Sequence, residues 1–215
     1  MKTEFPKKIA DNVTMFSPDP IIYVVHNFLS NLECDAFIDA GMDNLKPSTV
    51  ISSSKPMIHD SRTSKNCWIP HDKNELIHEV SKRLSILVQM PIRNAEQYQL
   101  VHYSTGAQYK PHFDSFNFNS EEGKKHWKPG GQRMITVIAY LNSIKDEDGG
   151  GTIFPELNIV IPAKKGDVLV FHNTLAKSSS TTHPAIHPKS LHGGMPVKRG
   201  EKWITNLWFR QNIRY

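Results

Sequence analysis

The chain has 215 residues, a length that fits one domain or a domain with a small appendage. No apolar run approaches the ~18 residues that span a membrane, and two cysteines exclude a disulfide-rich scaffold. The formal net charge is only +5, and the best basic cluster, Lys124–Lys128, is short, so a nucleic-acid partner is not expected. We expect a monomer without a membrane span.

Residues 1–20 are predicted to form an N-terminal arm. They include Lys2, Lys7 and Lys8 but no apolar core of signal-peptide length. A targeting segment removed from a longer native protein is not excluded by this sequence, so the localisation stays open.

Residues 21–95 are predicted to form a helical support region. A strand at Ile21–Phe28 precedes a helix that begins with the capping box Ser30-x-x-Glu33. A second helix begins within Asp72–Asn74, has an apolar stripe and ends before Pro91. We expect both helices to cover one side of a sheet.

From residue 96 onward the pattern changes to short strands divided by Gly, Pro and Asn. Many short strands after two helices indicate an α+β chain with a jelly-roll core, that is, a double-stranded β-helix. We therefore expect a single catalytic domain, 1–215, with its core at 96–215. The predicted strands are Gln97–Tyr103, Tyr109–Asp114, Met134–Leu141, Thr152–Phe154, Leu157–Ile161, Asp167–His172, a stretch near His192–Val197, and Lys202–Arg210.

One motif in this core carries chemistry. His112 and Asp114 are two residues apart, so on a β-strand both side chains leave the same face. With 11 His and 21 acidic residues in the chain, about one such pair arises by chance. With a further His, the pair forms the two-His-one-carboxylate set of non-haem Fe(II) oxygenases, which leaves positions open for a cosubstrate and dioxygen. Ser115–Gln132 follows the pair directly and is either a lid or an insertion without a role.

His192 is the best-placed third ligand among the histidines that follow the core strands. It precedes Gly193-Gly194 and the strand Lys202–Arg210, with which it is expected to form a hairpin. The other histidines either end an apolar strand or precede a proline in a loop, and they are more typical of structural or exposed positions. They are His172, His183 and His187.

Lys202 is the candidate anchor for a cosubstrate. Alternation along its strand places it on the same face as Ile204 and Trp208, and these apolar side chains indicate that the face points inward. A buried ammonium needs an anionic partner, and the chain offers no obvious carboxylate nearby, so a bound carboxylate ligand is a candidate. The alternative is a lysine that extends to solvent at the rim.

The residues from Tyr103 to Asp114, in the pattern Tyr-x-x-Gly-x-x-Tyr-x-x-His-x-Asp, resemble the metal motif of collagen-type prolyl 4-hydroxylases. These enzymes are Fe(II)- and 2-oxoglutarate-dependent dioxygenases. The resemblance covers roughly Gln97 to Arg210 and looks most like the short stand-alone form found in algae and large viruses. It continues in order through Arg133, Thr136, Tyr140-Leu141-Asn142, Gly149-Gly150-Gly151-Thr152, Phe154-Pro155, Lys165-Gly166-Asp167, His192-Gly193, Pro196-Val197, Gly200, Lys202-Trp203 and Trp208.

The resemblance implies hydroxylation of peptidyl proline at C4 in proline-rich or collagen-like peptides. Fe(II), 2-oxoglutarate and O2 are the implied cofactor and cosubstrates, ascorbate is supportive, and succinate and CO2 are released. The implied metal ligands are His112, Asp114 and His192. The implied 2-oxoglutarate site contains Lys202, with Tyr103 and Thr152 as hydroxyl partners. The candidate peptide contacts, for which core packing is an equal alternative, are Arg62, Tyr140 and Trp208.

Other functions stay open at this point. One is a 2-oxoglutarate oxygenase that acts on another protein residue or on nucleic acid. Another is a non-catalytic jelly roll that binds a metal such as zinc through the same three ligands. A peptide-binding module with a decayed site is disfavoured, because all three ligands and Lys202 are present.

Overall fold

A computed structural model describes residues 5–52, 55–57, 60–176 and 182–214. In these ranges the chain forms mostly antiparallel strands and few helices. The helices are α1 (Asn31–Gly41), α2 (Glu75–Val88) and α3 (Glu121–Trp127). The strands are β1 (Lys7–Ala10), β2 (Val13–Pro18), β3 (Ile21–Val25), β4 (Lys46–Pro47), β5 (Val50–Ser52), β6 (Lys55–Met57), β7 (Lys65–Ile69), β8 (Tyr98–Tyr103), β9 (Tyr109–His112), β10 (Arg133–Tyr140), β11 (Thr152–Phe154), β12 (Ile159–Ile161), β13 (Val168–His172), β14 (His192–Gly194) and β15 (Lys202–Arg210).

The strands form two stacked sheets. The large sheet has the order β1-β2-β3-β13-β10-β15-β8-β7-β4, and the small sheet has the order β12-β11-β14-β9. Strands β5 and β6 pair only with each other. Apolar side chains of both sheets, among them Phe154 of the small sheet and Phe171 of the large one, pack together in one core. This arrangement confirms the predicted α+β class with a jelly-roll core.

The central strands of the large sheet are buried on both faces. On β10, Ile138 and Tyr140 point into the core between the sheets, whereas Val137 and Ala139 belong to a second core on the other face. That second core is covered by α1 and α2, as the sequence predicts. The alternation of strand side chains thus decides which residues of the large sheet face the space between the sheets.

Both long helices begin at the predicted capping residues. The Ser30 hydroxyl accepts a hydrogen bond from the Glu33 amide while Glu33 accepts from the Ser30 amide, which confirms the capping box. Asn74 caps α2 by accepting from the Ile77 amide. The helices therefore start where local side-chain chemistry satisfies their free amides, and their apolar faces then pack on the sheet.

The N-terminal segment differs from the predicted arm. Strands β1 and β2 form a hairpin around Asp11-Asn12 and extend the large sheet beside β3. The hairpin is tied to the sheet by His26, whose ring nitrogens lie 2.9 Å from the Thr14 hydroxyl and 2.8 Å from an Asp167 carboxylate oxygen. The sequence signal is weak because β1 is exposed and rich in lysine.

The segment after the candidate metal pair also differs from a plain loop. It contains α3, which Ser120 caps by accepting from the Gly123 amide. The Gln132 side chain closes the segment by accepting from the Phe116 amide at 2.7 Å and donating to its carbonyl at 2.9 Å.

No helix in the described part of the chain is long and apolar enough to cross a membrane.

Candidate active site

Two histidines meet because neighbouring strands of the small sheet align them. His112 on β9 is the direct cross-strand partner of His192 on β14, and their ring centroids are 4.5 Å apart. Asp114 follows β9, with its carboxylate oxygens 3.4 Å from His112 Nε2 and 3.5 Å from His192 Nε2. One ligand atom of each residue lies within 4.8 Å of the other two. The three predicted metal ligands therefore converge on one point.

Both imidazoles are oriented for metal binding. The Nδ1 of His112 lies 2.9 Å from the Lys110 carbonyl, and the Nδ1 of His192 lies 3.0 Å from the Ser190 carbonyl. A backbone carbonyl only accepts, so each Nδ1 carries a proton toward its carbonyl, and Nε2 is the ring nitrogen of each histidine that faces the convergence point. Backbone carbonyls that accept from Nδ1 fix metal-binding histidines in the same way in other proteins.

The carboxylate of Asp114 is held by a chain of donors. The Thr136 hydroxyl donates to Asp114 Oδ2 at 2.7 Å, and Asn173 Nδ2 donates to the Thr136 hydroxyl at 2.8 Å. Burial raises the pKa of Asp114, but the nearby His192, His112 and Arg133 outweigh it and hold that pKa well below its usual range. Asp114 is thus a charged ligand at neutral pH.

His192 is a neutral ligand at neutral pH. Its ring is buried among Phe154, Phe171 and His112, and this burial lowers its pKa to about 4. Two imidazoles and one carboxylate match the donor set that holds Fe(II) in non-haem oxygenases.

The metal-ligand cluster lines a cavity of about 640 Å³ between the sheets, which also contains Lys202. Lys202 is only 1% exposed, and its Nζ lies 5.3 Å from the Tyr103 ring centroid and 5.7 Å from that of Tyr140. No carboxylate in the described part of the chain pairs with it, and burial lowers its pKa to about 7. This depth excludes a lysine that extends to the rim. The cavity therefore contains a buried amino group that lacks an anionic partner among the described residues, and an anionic ligand would supply one.

Tyr103 and Thr152, the two hydroxyl residues predicted to assist Lys202, line the same cavity. Tyr103 is the cross-strand partner of Lys202, lines the cavity and hydrogen-bonds Ser64, and burial raises its pKa to about 12. Thr152 also lines the cavity, and its oxygen accepts from the Tyr140 hydroxyl at 2.8 Å. The hydroxyl proton of Thr152 therefore stays available for a ligand.

One expectation about this region stays a prediction, and another is wrong. Tyr140 is fully buried and donates to Thr152, and its contact with a peptide stays a prediction. His192 and Lys202 do not share a hairpin, because β14 pairs with β9 and β11 in the small sheet while β15 pairs with β8 and β10 in the large sheet. Both side chains still point inward, since the two sheets face each other.

Arg62 and Trp208, the other candidate peptide contacts, both line the cavity. Arg62 is 8% exposed, donates to Gln99 Oε1 at 3.0 Å and has its Cζ 4.7 Å from the Tyr109 ring centroid. Trp208 is 5% exposed. Among the described residues, neither Arg62 Nε nor Trp208 Nε1 has a hydrogen-bond partner. The wall thus carries two buried donors that a ligand is able to satisfy.

Sequence reasoning missed a buried ion network behind this wall. Glu96 accepts from Arg133 at 2.7 and 2.9 Å and from Arg210 at 3.0 Å. Arg133 in turn lies over Trp208, with its Cζ 3.7 Å from the ring centroid. These partners are 37 and 114 residues apart, so no local pattern reveals them. The network fixes Arg133 against the cavity wall.

Glu96 should make stability depend on pH. Burial raises its pKa, but Arg133 and Arg210 outweigh burial and lower it from 4.5 to about 2. The charged carboxylate therefore stabilises the fold above about pH 4.5, and this stability is lost as pH falls toward 2. We expect the free energy of unfolding to drop by about 3 kcal/mol over that interval, measured by urea denaturation. Glu96→Gln should lack this component, and equal pH dependence in both proteins would contradict the assignment.

Residues 98–210, more than half of the chain, match the family model of the 2OG-Fe(II) oxygenase superfamily. Prolyl 4-hydroxylase 5 of Arabidopsis thaliana is 34% identical over 220 residues, which span 92% of this chain and 70% of the plant protein. A protein of Acanthamoeba polyphaga mimivirus that is named as a prolyl 4-hydroxylase is 36% identical over 189 residues, 88% of this chain and 74% of the viral one.

A solved structure has the same fold. The viral collagen prolyl hydroxylase of Paramecium bursaria Chlorella virus-1, in complex with 2-oxoglutarate, superposes with a TM-score of 0.68 and 28% identity. The match covers 88% of this chain and 95% of the viral enzyme. Fe(II) and 2-oxoglutarate are the cofactor and cosubstrate of the matching superfamily. The chain belongs to the prolyl 4-hydroxylases of the 2-oxoglutarate- and Fe(II)-dependent oxygenase superfamily.

Proposed function

We propose that this protein hydroxylates peptidyl proline at C4 and couples this reaction to the conversion of 2-oxoglutarate and O2 to succinate and CO2. The observation that carries the proposal is the buried, unpaired Lys202 in the same cavity as His112, Asp114 and His192. That cavity offers one place for a metal ion and another for the carboxylate of a cosubstrate. We propose that the whole chain acts as a single catalytic domain.

The chain's own residues hold and orient the reactants. His112, Asp114 and His192 would bind Fe(II), which when bound supplies the activation of dioxygen. Lys202 would pair with the distal carboxylate of 2-oxoglutarate, and Thr152 would donate its free hydroxyl proton to the same group. The low exposure of these side chains keeps the charge pair away from water, which strengthens it.

The cavity wall suits a proline-rich peptide. Such peptides favour the polyproline II form, whose backbone carbonyls are free to accept hydrogen bonds. Arg62 Nε and Trp208 Nε1 are buried donors without a partner among the described residues, and they would satisfy such carbonyls. The aromatic side chains of Tyr109 and Trp208 line the same cavity and would contact a prolyl ring. The names of the plant and viral relatives support the same substrate class.

Stimulation of succinate release tests this proposal. Purified protein would receive Fe(II), 2-oxoglutarate and ascorbate with one of three additions: a proline-rich peptide, the same peptide with alanine for proline, or a single-stranded oligonucleotide with methylated bases. We expect only the proline peptide to stimulate succinate release. Equal stimulation by the alanine peptide, or stimulation by the oligonucleotide alone, would favour the rival oxygenase function.

A second rival, the non-catalytic metal-binding jelly roll, predicts no succinate under any of these conditions. The unpaired Lys202 disfavours it, because burial of an amino group without an anionic partner costs free energy and a structural metal site does not require one. Monomeric action also stays a prediction, and light scattering of the active enzyme measures it directly.

A further inference from the structure

Four side chains form a row of contacts at the cavity wall, and three of them, Phe116, Arg133 and Trp208, line the cavity. The Cζ of Arg210 lies 4.8 Å from the Phe116 ring centroid, and the Cζ of Arg133 lies 5.0 Å from the same centroid. Arg133 also lies over Trp208, at 3.7 Å. Phe116 therefore contacts both guanidinium groups, and the row ends at Trp208.

Glu96 binds both arginines of this row. Its carboxylate accepts two hydrogen bonds from Arg133 and one from Arg210, so both guanidinium groups are fixed to the same anion. A third arginine is more distant, with Arg214 Nη1 3.9 Å from Glu96 Oε2. A bidentate carboxylate partner fixes the orientation of a guanidinium plane. Glu96 therefore sets the orientation in which Arg133 lies over Trp208.

Arg210 also holds the residues that follow the metal ligand, here named the post-ligand segment (Phe116–Gly131). Its Nε donates to the Gly131 carbonyl at 2.9 Å, and its Nη2 donates to the carbonyls of His126 and Trp127 at 2.8 and 3.2 Å. Arg210 is 2% exposed and does not line the cavity. Its guanidinium therefore joins the post-ligand segment to Glu96 without contact with a ligand in the cavity.

We propose that Arg210 is a positioning residue for peptide binding. It holds the post-ligand segment directly, and it holds the Arg133–Trp208 pair through Glu96 and Phe116. This proposal rests on the proposed function, because it takes that pair to face the peptide. A buried ion network adds little net stability compared with packed apolar side chains. The consequence of this network is geometric, because the Arg210 side chain sets the position of the segment after Asp114 and, through its partners, that of the cavity wall at Trp208.

Kinetic separation of peptide and cosubstrate tests this role. In Arg210→Lys the charge stays, but a single ammonium cannot reach Glu96 and the three carbonyls together. We expect the KM for a proline-rich peptide to rise at least about tenfold. The KM for 2-oxoglutarate and the peptide-independent succinate release should stay unchanged, and more succinate should form per hydroxyproline. The matched control is Arg199→Lys, which alters an exposed ion pair with Asp148 and should change none of these values.

A second variant cuts the same connection without changing Arg210. Gly130 has φ +101°, and an added Cβ would lie 3.2 Å from the Cβ of Arg210, so Gly130→Ala should displace the post-ligand segment from its anchor. It should raise the peptide KM in the same selective way. In both variants, hydrogen exchange of the post-ligand segment should be faster than in the wild type.

The outcomes separate this proposal from the proposed function. If no peptide stimulates the wild-type enzyme, the proposed function fails and the peptide role of Arg210 fails with it. If the wild type is stimulated but both variants keep its peptide KM, only the role of Arg210 is overturned. A proportional loss of peptide-dependent and peptide-independent turnover would also overturn it, because that result indicates a purely structural residue.

Discussion

Replacement of Lys202 by alanine is expected to weaken 2-oxoglutarate binding by roughly two to four decades. Removal of one partner of a buried charge pair costs ~3–5 kcal/mol, which converts to this loss of affinity. Calorimetric titration of the metal-loaded protein with 2-oxoglutarate under anaerobic conditions measures it. Metal binding should persist, since Lys202 is not one of the three converging ligands.

Two controls make the Lys202 result specific. Lys198→Ala removes an exposed ammonium close in the chain and should leave 2-oxoglutarate affinity unchanged. The ligand-free Lys202→Ala protein should also be no less stable than the wild type, because its fold loses a buried cation that has no anionic partner among the described residues. Near-wild-type affinity for 2-oxoglutarate would remove Lys202 from the site.

Asp114→Ala should abolish Fe(II)-dependent turnover while the fold survives. Asp114 is the anionic ligand between the two histidines, so its loss leaves a neutral pair with weak affinity for Fe(II). Metal titration and succinate release measure the effect, and circular dichroism checks the fold. Thr136→Val, which removes the hydrogen bond to Asp114 and the one from Asn173 that supports it, should weaken metal binding by about ten- to a hundredfold. Full activity of Asp114→Ala would end the metal-site assignment.

The sequence revealed the centre of this site because strand geometry is local. A period of two residues indicates that His112 and Asp114 lie on one side of the chain, although β9 itself ends at His112, and it turns Lys202 inward with Ile204. Helix starts are local for a similar reason, since a cap needs only side chains within one turn. The His112–Asp114 pair, the inward lysine and the capping box of α1 follow from such short-range rules, whereas His192 joins the metal cluster through the long-range pairing of β14 with β9.

What the sequence did not reveal depends on contacts between distant parts of the chain. The pairing of β14 and β15 with different sheets is decided by how the chain crosses between them, and turn residues alone suggested a hairpin. Strand parity placed Tyr140 on the inward face correctly, but only packing decides whether an inward side chain reaches the cavity or supports Thr152. The contacts of Glu96 with Arg133 and Arg210 belong to the same long-range class.

The most direct test of the central claim is the fate of isotopically labelled dioxygen. The enzyme would turn over with Fe(II), 2-oxoglutarate, ascorbate and a proline-rich peptide under the labelled gas, and the products would be examined by mass spectrometry and amino-acid analysis. We predict one labelled oxygen atom at C4 of a prolyl residue and one in succinate. Succinate that forms while the peptide prolines stay unlabelled, or label on another residue, would contradict the account.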